Sequence, residues 1–296
     1  MSSQHLLDPG ILQRLANIQL VAKTVVDGFL HGGHRSPQFG FSQEFAEYRS
    51  YTEGDDPRYI DWNVLSRTDR VYIKRFLGET NTHLMILLDC SASMGYGSGE
   101  TTKLDYARFL AASLAYLSTC QHDGVGLVLF DEQVREVRPA QYRPRHLQSI
   151  LHVLEEAEAA TGTDLHVPLQ VLARLLRRRG LVAMISDFFA DPEEIVNPLR
   201  SVANQGKDLI CFHVLDPSEL APGFRTAALV EDMETGEEME VSADYARRVY
   251  PGRIQDHIET LRKKIVSEGA DYVLLDTSQP LDLALREYLL YRLRRR

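Results

Sequence analysis

The chain reads as an α/β protein built on a doubly wound, mostly parallel sheet of the Rossmann-like kind, and three observations predict this. Apolar runs of strand length recur at 84–89, 124–130, 181–186 and 208–215, bounded by polar or Gly residues as for strands buried on both faces. Segments with apolar residues at helical spacing separate them, the alternation that builds parallel sheets. The run Leu84-Met85-Ile86-Leu87-Leu88 passes into Asp89-Cys90-Ser91-Ala92-Ser93-Met94, which sets one carboxylate and two hydroxyls in a loop at a strand's carboxyl end. Open α/β sheets bind their ligands at that edge.

In chain order, Asp8-Pro9 can start a helix, with Asp8 as N-cap and Pro9 at the first helical position. Ile11, Leu12, Leu15, Ile18, Val21, Ala22, Val25 and Val26 keep helical spacing to about Phe29, where His31-Gly32-Gly33-His34 turns the chain. Residues 35–80 are rich in Gly, aromatics and paired charges, and Val71 to Phe76 alternates like a strand. A helix is expected at about 103–119 after the first buried strand. Gly124–Phe130 is the next strand, with an antiparallel neighbour at Gln133 to Arg138. Helices at about 144–159 and 165–179 precede Leu181–Ser186, which runs into Asp187. A helix at about 192–204 leads to Asp208–Leu215, and Glu234-Thr235-Gly236-Glu237 marks a β-hairpin insertion over about 223–242. A helix at about 253–268, a strand from Tyr272 to Asp276 and a helix at about 280–294 end the chain. The expected organisation is an N-terminal helical and irregular extension, residues 1–81, and a sheet domain, residues 82–296.

Composition narrows the function. A net charge of −9 disfavours general nucleic-acid binding. The 3 cysteines, Cys90, Cys120 and Cys211, are far apart and odd in number, which fits a reducing compartment better than a disulfide framework. No apolar stretch approaches the roughly 18 residues that span a bilayer, and the N-terminus lacks the pattern of a secretory signal. A cytoplasmic location is the expectation.

Two further loops supply oxygen ligands. Thr161-Gly162-Thr163-Asp164 lies between two expected helices, and Asp187 ends a buried strand. Asp89, Ser91, Ser93, Thr163 and Asp187 thus form a set of hard oxygen donors that one sheet edge could gather, suited to Mg²⁺, with Mn²⁺ or Ca²⁺ as other ions of similar taste. Each has a plainer reading. Ser91 and Ser93 could cap amides in the turn, Thr163 could cap the helix starting near Asp164, and Asp187 competes with Asp191 to cap the helix at Pro192. Thr161 is the alternative to Thr163.

This pattern resembles the von Willebrand factor A fold and its metal-ion-dependent adhesion site, which has an Asp-x-Ser-x-Ser loop, a distant Thr and a later Asp at a strand end. The resemblance covers about residues 82–294. It implies that Ser91, Ser93 and Thr163 contact Mg²⁺ directly or through one water, with Asp89 and Asp187 acting through water or from behind. The sixth position is left to a partner's carboxylate.

Upstream, Glu44-Phe45-Ala46-Glu47-Tyr48-Arg49, Gly54-Asp55-Asp56-Pro57-Arg58, Ile60-Asp61-Trp62 and Ser66-Arg67-Thr68 resemble the bacterial domain of unknown function 58 family. So do Asp232 to Glu237, and Tyr288-Leu289 with Arg292. Cys90 stands where a small residue such as Ala is more usual. Within this block Asp55, Asp56, Arg58, Asp61 and Arg67 read as a buried ion network, with a docking surface anchored by Tyr59 and Trp62 as the rival.

The resemblance implies a non-catalytic interaction module, an adaptor or co-chaperone of a MoxR-type AAA+ ATPase, that binds an Asp or Glu of the ATPase or of a client protein through the metal. The chain itself has no Walker A loop. A Mg²⁺-dependent phosphohydrolase is the enzymatic alternative. It wants a second carboxylate two residues after the first, where Ser91 stands. A structural subunit with a vestigial site is the third reading.

Overall fold

The computed structural model describes residues 9, 12, 17–31, 45–52, 61–68, 70–76, 83–160, 180–203, 206–234 and 236–294. The chain divides into two compact units: Met1–His34 with Thr82–Arg296, and Arg35–Asn81. The first 34 residues, assigned to the extension on sequence grounds, therefore group with the sheet domain. Helix α1 is Ile18–His31. The longer helix expected from Asp8 is interrupted at Asn17, whose carboxamide oxygen accepts the amides of Gln19 and Leu20 and so caps α1. A polar side chain that competes for backbone N–H groups favours such a start over a helix interior.

In the smaller unit, β1 (Phe45–Ser50) pairs antiparallel with β2 (Tyr72–Phe76), and α2 (Trp62–Thr68) lies between them in sequence. Buried Asp61 accepts the amide of Val64 and opens α2, while Trp62 is 63% exposed. Of the rest of the expected ion network, Arg67 is exposed in the last turn of α2, and Asp55, Asp56 and Arg58 lie outside the described residues, as does Tyr59.

The strands of the larger unit are β3 (His83–Asp89), β4 (Gly124–Phe130), β5 (Val134–Gln141), β6 (Leu181–Ser186), β7 (Asp208–Leu215) and, after a hairpin of β8 (Ala228–Glu231) and β9 (Glu238–Val241), β10 (Asp271–Asp276). They assemble in the order β10-β7-β6-β3-β4-β5. All neighbours are parallel except β4 and β5, an antiparallel pair at one edge. The chain moves from β3 to β4 on one side and returns to β6 on the other, so the order reverses beside β3. That is the switch point where α/β sheets open a crevice.

Helices α3 (Lys103–Cys120), α4 (Pro144–Glu155), α5 (Pro192–Ala203), α6 (Pro217–Leu220), α7 (Ala243–Arg248), α8 (Tyr250–Ser267) and α9 (Asp282–Arg294) complete the order. Side chains alternate across a strand. Met85 and Leu87 of β3 therefore join Ile195 and Leu199 of α5 and Ile258 and Leu261 of α8 in one core. Leu84, Ile86 and Leu88, equally buried, point to the opposite face. There α3 packs on β3 and β4, with α1, α4 and α9 against it. Tyr288 of α9 hydrogen-bonds Ser118 of α3 at 3.0 Å, which gives its buried hydroxyl a partner.

Apart from β1, which the sequence does not foretell, and β5, which runs on to Gln141, the strands fall within a residue or two of their expected positions, and the described helices differ mainly at their ends. Helix α4 stops at Glu155, short of 159, and the helix expected from 253 starts at Tyr250 behind a separate α7 capped by Ser242. The helix expected at 165–179, the loop carrying Thr161 and Thr163, and Asp164 lie outside the described residues. None of the described helices is long and apolar enough to cross a membrane.

Candidate metal centre

Two loops at the carboxyl edge of the sheet, after β3 and β6, bring candidate ligands together. Strand β3 delivers Asp89, which is fully buried. Its two oxygens are used differently: Oδ1 accepts the Ser91 amide at 2.9 Å and Oδ2 accepts the Ser186 hydroxyl at 2.7 Å. The first bond folds Asp89-Cys90-Ser91 into a tight turn, and a short 3₁₀ segment, Ala92–Gly95, follows. Met94 is fully buried and pins this segment to the domain. The Ser91 and Ser93 hydroxyls lie 3.1 Å apart.

Strand β6 delivers Ser186 and Asp187. Phe188 follows with φ 49°, a left-handed conformation unusual for a bulky side chain. It is held by its amide, which bonds Ser186 Oγ at 3.0 Å, and by its ring, edge-on to His213 at 5.6 Å between centroids. The sharp turn leaves Asp187 at the crevice with only 2% of its surface exposed.

A third loop is visible up to its last described residue. The Ala160 amide donates to the Cys90 carbonyl at 2.9 Å, so the segment leading to Thr161 and Thr163 starts from the Asp-x-Ser-x-Ser turn. Asp89, Ser91, Ser93 and Asp187 therefore come together at one edge, and Thr163 itself is outside the described residues. The unusual Cys90 is buried and donates its amide to Phe130 at 2.7 Å. Burial chiefly, with Asp89 nearby, pushes its thiol up to about 12, which keeps it from acting as a thiolate ligand.

One member of the site escaped the sequence reading. Lys103, at the first position of α3, is fully buried, and its Nζ lies 2.7 Å from Asp187 Oδ2 and 2.6 Å from Glu219 Oε1. Phe189 flanks the ammonium at 4.9 Å to its centroid. Burial alone would lower its pKa, but the two carboxylates outweigh that and raise it, so Lys103 stays charged. A lysine at a helix N-terminus opposes the helix dipole, and that mismatch is the one local signal at this position. Glu219 is itself fixed from α6, where its other oxygen accepts the Asp216 amide at 2.8 Å. Burial raises Glu219, against the pull of Lys103.

Burial first, and the charge of Asp187 second, push Asp89 up to about 7. A buried carboxyl beside a like charge resists ionisation. A divalent cation there would relieve that conflict, and Ser91 and Ser93 provide the neutral oxygens such an ion accepts. The residues present therefore fit a hard divalent ion. Among the described residues no three His, Cys, Asp or Glu side chains group as a metal site, so the candidate depends on its hydroxyls. An open concavity of about 290 Å³ lies to one side, lined by Ser98, Thr101, Asp216, Thr277 and Ser278 among others, and includes none of the candidate ligands.

Residues 47–260 match the family described as Protein of unknown function DUF58. Uncharacterized proteins from Mycobacterium bovis and Mycobacterium tuberculosis are each 30% identical over 244 residues, covering 81% of this chain and 76% of their own length. BatB from Bacteroides thetaiotaomicron superposes with a TM-score of 0.49 at 17% identity, over 70% of this chain and 97% of that one. The VWA domain of SpRpn10 gives a TM-score of 0.44 at 14% identity, over 70% of this chain and 94% of that one.

Proposed function

The chain belongs to the DUF58 family, and from that premise we propose that it is a non-catalytic protein-interaction module whose contact is made through a bound divalent metal. The observation that carries the reading is the character of the donor set: two buried carboxylates with two hydroxyls between them at the switch point of the sheet. Ser91, Ser93 and Thr163 would hold the ion, with Asp89 and Asp187 behind. Bound there, Mg²⁺ would offer one electrophilic position to a partner's Asp or Glu. Asp89 orients the Ser91 amide and so the turn, Ser186 orients Asp89, and Met94 anchors the loop.

The surroundings favour binding over turnover. A hydrolytic site needs a base that can take a proton from water. His213 is fully buried, and burial above all pushes it down to about 3. Lys103 is bonded to two carboxylates, and Asp89, the group poised near neutrality, is fully buried with both oxygens already accepting hydrogen bonds. The rim suits a protein partner: half-exposed Met233 of the hairpin lies against Gly95 beside the serine loop.

The partner class we propose is a MoxR-type AAA+ ATPase, a client protein, or both, with the present chain as adaptor between them. The test is recovery of tagged protein from the native host's lysate in Mg²⁺, in EDTA, and as Asp89→Ala in Mg²⁺. An ATPase recovered only by the intact site in Mg²⁺ is the expected result. Equal recovery in all three would move the contact elsewhere, and Mg²⁺-dependent turnover of an aryl phosphate lost in Asp89→Asn would replace the adaptor with a phosphohydrolase.

A further inference from the structure

Lys103 has no place in the donor set, yet it holds the closest contact made by Asp187 among the described residues. An ammonium has three protons to donate, and two are directed at carboxylates on different elements, Asp187 after β6 and Glu219 on α6. Its four-carbon stem can shift the charge between them without moving α3. Glu219 cannot follow freely, because its second oxygen is bonded to the Asp216 amide and Asp216 in turn accepts both the amide and the hydroxyl of Ser98. A fixed acceptor on one side and a candidate ligand on the other bracket one buried positive charge.

We propose that Lys103 is a tethered cation that holds Asp187 in the metal-free protein and yields it, moving onto Glu219, when a divalent ion enters, so that the Lys103–Glu219 pair sets the metal affinity of the centre. The proposal rests on reading the site as a divalent centre. It departs from the view of Lys103 as a structural ion pair. Such a pair predicts that removing the lysine costs stability, since two carboxylates are left buried without a partner, and leaves metal affinity alone or weakens it. A competing cation predicts the opposite sign. Removing Lys103 frees Asp187 and deletes a like charge from beside the ion. Neutralising Glu219 leaves Lys103 with Asp187 as its sole carboxylate partner in this pair and withdraws a negative charge.

The test is the binding of Mn²⁺ to the full chain, followed by titration calorimetry, for wild type, Lys103→Met, Glu219→Gln and Asp89→Ala. Coupling between neighbouring sites commonly spans about 5- to 150-fold, so we expect Lys103→Met to bind on the order of tenfold tighter and Glu219→Gln correspondingly weaker. Mn²⁺ binding that emerges only in Lys103→Met would support the proposal most strongly. Folded Lys103→Met that binds no tighter than wild type overturns it. Should that variant fail to fold, an unchanged affinity in Glu219→Gln does the same. If no variant shows binding that Asp89→Ala abolishes, the divalent centre itself is wrong, an outcome distinct from wild-type binding that ignores Lys103 and Glu219.

Discussion

The Asp89 carboxyl is buried beside another carboxylate, and it ionises only near pH 7. In the unfolded chain the same group ionises near 3.8. Between these values the folded state binds the extra proton, so this group's contribution to stability falls as pH rises through the window. Asn keeps the shape without the charge. In EDTA we expect the melting temperature of Asp89→Asn, relative to wild type, to climb between about pH 5 and pH 8 and then level off. A difference that is flat with pH would assign the titration to another group. His213 pulls the wild-type profile the other way: its depressed pKa gives stability that is present above about 6.5 and lost as pH falls towards 3. Comparing the variant with wild type removes that common slope.

At the scale of elements, β4 meets β5 most tightly at Gly126, where the pairing register shifts between Val125 and Leu127. A Cβ there would lie 2.7 Å from the Ala140 amide nitrogen, the Arg138 carbonyl oxygen and the Met85 methyl. The first two are backbone and cannot turn aside, so Gly126→Ala should cost about 1–3 kcal/mol by denaturant unfolding, as overpacking does. A loss within about 0.5 kcal/mol would mean that the edge strand moves out freely. The same elements show what sequence can and cannot carry. Strands β3, β4, β6 and β7 were legible because burial on both faces demands an unbroken apolar run. Strand β1 was not, since Phe-Ala-Glu-Tyr-Arg-Ser has no such run and its partner lies more than twenty residues on. Asp89, Ser91 and Ser93 sit in one loop, and Asp187 follows a strand, so local pattern was enough to single them out as candidates. Lys103 meets its partners 84 and 116 residues later, and only the folded sheet brings those positions together.

For the whole molecule, a ligand that binds only the folded state stabilises it by about 2.7 kcal/mol at a hundredfold excess over its Kd. In a chain of this size each kcal/mol shifts the melting temperature by about 2–4 °C. Millimolar Mg²⁺ should therefore raise the melting temperature by several degrees in wild type and leave Asp89→Ala where it was. Because the protein carries a net charge of −9, sodium chloride of matched ionic strength is the control. An equal rise in both proteins would trace the effect to general screening.

The bond from the Ala160 amide to the Cys90 carbonyl joins two loops through main-chain atoms alone. A clasp of that kind does not depend on which side chains stand at its ends, provided they are small enough to be buried. Replacing Cys90 with Ala should therefore leave the clasp to Ala160 in place.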